Sequence, residues 1–184
     1  MDLAALYDPR VLQEQQATGN TRAYAIGHQS ISRLWHQIYD DCPSLTASAN
    51  ANSTDILNSF LIWAISKSGQ LDWRIHLEFA SWIINRANYT QQLQDPDIPA
   101  IISELLQKST KRWCFTNSNH FEYCLAGYKG HDSYWCLSRR SKNLFDKPKI
   151  FEVDITVKSK SLKGVFYTEL KNPEDFVEGD LIKI

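Results

Sequence analysis

Glycine is scarce in this 184-residue chain, at seven residues, and none of them forms GxGxxG or GxxxxGK[ST]. That excludes the glycine-rich cradles whose backbone amides hold nucleotide phosphates. No apolar run approaches the roughly 18 residues of a membrane-crossing helix. The longest, from Ile56 to Ile65, is broken by Asn58 and Ser59. The N-terminus places Asp2 where an export signal carries basic charge and lacks a long apolar stretch, so the expectation is a cytoplasmic protein with no membrane partner. The sequons Asn52-Ser53-Thr54 and Asn88-Tyr89-Thr90 are accordingly expected to be chance matches. None of the four cysteines stands in CxxC spacing, which suits reduced thiols and no disulfides. A GxSxG nucleophile elbow is missing too.

What is present is a globular composition, 43% hydrophobic and 22% charged. The length suits one compact domain with two lobes, a helical region at 1–108 and an antiparallel β region at 109–184. Asp8-Pro9 predicts a helix start, with the run ending at Gly19-Asn20. Ser30 is expected to cap a helix carrying Ile31, Leu34, Trp35 and Ile38 to Cys42-Pro43. The small, polar stretch SLTASANANST predicts a mobile loop. A strongly apolar helix follows over 55–67, then another from Asp72 through Leu77, Ala80, Ile84 and Ala87. The last, capped by Asp97, covers 99–108.

Beyond residue 110 the apolar period changes from 3.6 to 2. Phe151, Val153, Ile155 and Val157 alternate with polar residues and predict a half-buried strand. Further strands are expected at 112–116, 121–127, 133–138 and 164–170. The fold class is therefore α+β: a helical N-terminal half of about five helices packed with a C-terminal antiparallel β-meander of about five strands.

The net charge of −1 conceals an uneven distribution: −5 over residues 1–107, +7 over 108–163 and −3 over 164–184. The basic segment concentrates Arg139, Arg140, Lys142, Lys147 and Lys149 between two predicted strands, beside Tyr134 and Trp135. Cations and aromatic rings together are what single-stranded nucleic acid binds. These seven residues are the candidate nucleic-acid-binding site.

Other constellations carry less. Cys114, His120, Cys124, His131 and Cys136 are zinc-ligand types, but no pair has the short spacing that closes two thiolates on one ion, so buried thiols are expected and no metal or cofactor is implied. Asp72 and His76 lie four residues apart, and His76-x-Glu78 matches half of the zinc deaminase signature, whose P-C-x-x-C half is missing. His76 is expected to be an ordinary solvated or hydrogen-bonded helix residue. Asp154 with Glu169-Leu170-Lys171 resembles the D…(D/E)xK pattern of a metal-dependent nuclease family, which implies carboxylates on Mg²⁺ and a lysine orienting water. Gly127-Tyr128-Lys129-Gly130 resembles the GXXG loop of KH RNA-binding domains, but its place between predicted strands makes it a hairpin turn.

The functional expectation is a non-enzymatic interaction module or accessory subunit whose basic, aromatic β region contacts nucleic acid (RNA or single-stranded DNA) or a ribonucleoprotein. The alternatives are a protein-binding inhibitor or adaptor of immunity type, with a protein partner, and a Mg-dependent nuclease. No catalytic residue is assigned.

Overall fold

The computed structural model describes residues 6–67, 71–86, 93–94, 96–116, 120–141, 146–159 and 162–184. The chain is α+β, helical in its N-terminal half with an antiparallel sheet after it. It divides into two compact units, Met1–Gln70 with Arg86–Pro96, and Leu71–Asn85 with Asp97–Ile184.

The first unit contains α1 (Pro9–Ala17), α2 (Thr21–Tyr39), α3 (Pro43–Ala49) and α4 (Ser53–Ser66). The Asp8 carboxylate caps α1 by accepting the Arg10 amide at 2.9 Å, and the chain leaves that helix through Gly19 at φ 72°. Asn20, not Ser30, caps α2. Ser30 instead donates its hydroxyl to Ile26 O inside the helix. The stretch expected as a loop is helical: α3, a short 3₁₀ turn at Asn50–Asn52, and the start of α4. Its polar composition conceals Leu45 and Ala49, four residues apart and both fully buried, with Pro43 suited to the first turn. Tyr39 closes this packing by donating its hydroxyl to Ser53 O at 3.0 Å.

The second unit contains α5 (Ile75–Asn85), α6 (Ile98–Trp113) and a five-stranded antiparallel sheet in the order β3-β2-β1-β4-β5. The strands are β1 (Tyr123–Lys129), β2 (Ser133–Arg139), β3 (Lys149–Glu152), β4 (Gly164–Leu170) and β5 (Ile182–Lys183). Cys124, Ala126, Cys136 and Ser138 share the face covered by α6, where Ser138 Oγ donates to Thr110 O at 3.2 Å. The opposite face carries Leu125, Trp135, Phe166 and Leu170.

Three expectations change here. Residues 112–116 are not a strand, because α6 continues through Trp113, which is fully buried and donates its indole N–H to Glu169. The alternating segment from Phe151 to Val157 is a strand only to Glu152. Val153 still bonds Trp135 O at 3.1 Å, after which Val153, Ile155 and Val157 pack over Leu125, Trp135 and Phe166. The period of 2 reports burial on one side, which a covering segment needs as much as a strand does. Gly127, Tyr128 and Lys129 belong to β1, so GYKG is not the turn. Gly127 is required because the Trp135 ring lies against it: a Cβ there would sit 2.6 Å from Trp135 Cζ3 and nearer still to Cε3.

All four cysteines are free thiols. Burial pushes the Cys136 thiol up to about 11, and burial also raises half-buried Cys114 and fully buried Cys124. At pH 8 a thiol with that pKa is about one part in a thousand thiolate. Iodoacetamide at that pH is expected to modify Cys114 well before Cys124 or Cys136 in the folded protein, read by mass spectrometry. Equal labelling would overturn this burial order.

Candidate basic cleft at the free edge of the sheet

The sheet of the second unit ends at β3, which pairs with β2 through Arg139↔Lys149, Ser138↔Ile150, Leu137↔Phe151 and Cys136↔Glu152. Among the described residues β3 has a strand partner on that side only. The Val153 to Trp135 bond sets the alternation. Lys149 and Phe151 exchange backbone bonds with β2, and the amides and carbonyls of Ile150 and Glu152 point outward. Phe151 is 46% exposed on this edge.

Where β2 ends and β3 begins, Arg139, Arg140, Ser141, Asp146, Lys147 and Lys149 line a concavity of about 450 Å³. Among the described residues four cations and one carboxylate line it. The arginines are held from behind. Arg140 lies 4.2 Å over the Trp113 ring, and its Nη2 donates to Trp113 O at 3.2 Å and to Thr116 Oγ1 at 2.8 Å. Arg139 lies 5.5 Å over the Tyr123 ring, with its Nη2 3.9 Å from Glu122. Lys147 and Lys149 are exposed. The arrangement suits recognition of carboxylates or another anion by two planar, oriented guanidinium groups and two exposed ammonium groups.

Of the seven residues proposed from sequence, the structure brings together Arg139, Arg140, Lys147 and Lys149. Lys142 lies outside the described residues. Tyr134 lines a separate cavity against α6. Trp135 is 5% exposed, covered by Val157 and Phe166, so its ring offers no stacking platform. The nuclease trio is not assembled: Asp154 follows β3 at one edge, while Glu169 sits in β4 with β2 and β1 between. Glu169 is occupied by the Trp113 indole. His76 is fully buried in α5 rather than solvated, and Asp72 pairs with Arg74 at 2.6 Å just before that helix. Among the described residues no group of three or more His, Cys, Asp or Glu is placed to hold a metal ion. Nor is any helix among them long and apolar enough to cross a membrane.

A protein-family model, described as methanobactin biosynthesis cassette protein MbnC-like, matches residues 14–157. The chain belongs to this family. The matched span includes every residue that lines the basic cleft. No curated protein matches the chain. Membership in the MbnC-like family corrects the nucleic-acid and ribonucleoprotein reading, and with it the immunity-type adaptor, the accessory subunit and the nuclease: the family description is of a biosynthetic cassette. The physical reason for the error lies in the aromatic residues. Trp113 and Trp135 are core side chains, and the Trp113 and Tyr123 rings serve the arginines. Basic charge and aromatic content lie together along the segment, but in the fold these rings pack in the core or against the arginines. The edge position of β3 had no signal in the sequence, because strand order depends on contacts between distant segments.

Proposed function

We propose that the protein acts in the biosynthetic cassette named by its family, holding an acidic, extended polypeptide segment along the free edge of β3 and in the adjoining basic cleft. The observation that carries this reading is continuity: Lys149 belongs both to the strand and to the cleft. An edge strand with outward amides pairs with an added strand, and neighbouring cations select carboxylates and speed their encounter. Exposed Phe151 supplies an apolar anchor on the same edge.

The test is calorimetric titration with each of the other polypeptides of the cassette, comparing the native protein with the Lys147→Glu/Lys149→Glu variant. One polypeptide is expected to bind, at least about tenfold more weakly to the variant and more weakly as salt rises. Reconstituted biosynthesis with the variant is expected to yield less product. Binding indifferent to the charge reversal, or no binding by any cassette polypeptide, overturns the reading.

A further inference from the structure

A second cavity of about 520 Å³ lies in the same unit, between the first half of α6 and the ends of β2 and β3. Its wall carries three carboxylates, Asp97, Glu152 and Asp154, with Ser103 and the ring of Tyr134. Among the described residues no Lys, Arg or His lines it. Two of the carboxylates are anchored by neutral donors. Asp97 Oδ1 accepts the Ala100 amide at 3.1 Å, and Glu152 Oε1 accepts Gln107 Nε2 at 3.1 Å. Tyr134 is fixed by parallel stacking on Tyr128, at 6.3 Å between centroids and 10° between planes. Desolvation, and then the carboxylates of Asp132 and Asp97, push the Tyr134 phenol above its ordinary value, the direction expected where the local potential is negative.

A concavity with carboxylates at its rim and an aromatic wall suits an organic cation, which gains from both the charge and the ring face. Glu152 ends β3, three residues beyond Lys149, which opens that strand. At about 3.3 Å per residue the acidic and basic ends of this edge lie about 10 Å apart. A single extended segment spans that distance.

We propose that this cavity takes a cationic side chain, the ammonium of a lysine or the guanidinium of an arginine, from the segment held on β3. The ligand is then an extended segment of mixed charge, with a carboxylate for the cleft and a cation for the cavity. The origin of the cation rests on the strand-docking reading above; the cavity's preference for a cation does not.

Two measurements separate them. In the first, methylguanidinium is titrated into ¹⁵N-labelled protein, with urea as the neutral control of similar shape. Methylguanidinium is expected to shift the amides of residues 133–136 and 152–154, urea to leave them in place, and both Asp154→Asn and Glu152→Gln/Asp154→Asn to abolish the response. In the second, two short strand-forming peptides carry one Glu and, three residues on, either Lys or Gln. The Lys peptide is expected to bind the native protein about tenfold tighter, and the advantage to vanish in Glu152→Gln/Asp154→Asn while the Gln peptide binds as before. Equal affinity for the two peptides, with no methylguanidinium response, overturns the cavity proposal and leaves strand docking standing. A methylguanidinium response with neither peptide bound supports the cavity and overturns strand docking.

Discussion

Gly127→Val is expected to destabilise the sheet unit by about 3 kcal/mol, the upper range for forcing methyl groups into a packed core. The position has no room to give. β1 is paired on both sides, by β2 and β4, so its backbone cannot retreat without breaking two ladders. The obstructing ring is Trp135, which is itself enclosed by Leu125, Val157 and Phe166. Even Gly127→Ala places its methyl group inside contact distance of that ring. Urea unfolding followed by tryptophan fluorescence measures the loss. A double-mutant cycle supplies the control: in a Trp135→Leu background the Gly127→Ala change is expected to cost less than it does alone. If Gly127→Ala leaves the native midpoint unchanged, the ring does not occupy the place described.

Trp113→Ala is expected to cost about 4 kcal/mol, as truncation of a fully buried tryptophan does. Trp113 joins three parts of the unit. Its ring closes the end of α6, its indole N–H reaches Glu169 in β4, and its outer face carries the Arg140 guanidinium. Trp113→Phe separates these roles, because it keeps a ring under Arg140 and deletes only the donor to Glu169. That variant is expected to lose about 1–2 kcal/mol, in the range for leaving one polar partner unsatisfied. It should bind acidic ligands with nearly native affinity. Paired denaturant melts and titrations check both statements. Equal losses from the two variants would show that the indole N–H, not the ring, is the important part.

The helical half was largely legible. Asp8-Pro9 and Asp97 act as caps where they were expected, and the apolar stripe at Ile101, Ile102, Leu105 and Leu106 is fully buried or nearly so. Where the expectation failed, a local signal was outweighed by a tertiary one. Arg112 to Thr116 has strand-like residues, but burial of Trp113 against the sheet carries α6 into this stretch as far as Trp113. The Ser44 to Thr54 stretch is composed like a loop, and two buried apolar side chains at helical spacing decide it otherwise.

The candidate site divides in the same way. Four of its cations are legible because they crowd one inter-strand connection, and charge crowding is visible along a chain. Nothing in the sequence marks Asp97, Tyr134 and Glu152 as neighbours, since they come from a helix cap and two strands and meet only in the folded unit. The sequence pattern pairs Asp154 with Glu169, from which the sheet order separates it.

The sequence by itself determined the α+β class, the Asp8 and Asp97 helix caps and the concentration of positive charge between β2 and β3. All of these follow from interactions between residues close in the chain: capping bonds, a fixed proline torsion, apolar periodicity and like charges in one short segment. Only the tertiary structure decided that β3 is an edge, that Trp135 is core rather than surface, and that an acidic cavity lies at the other end of the strand that opens into a basic cleft. Strand order and ring burial are set by packing between segments far apart in sequence, and no local pattern encodes which segment a face will meet.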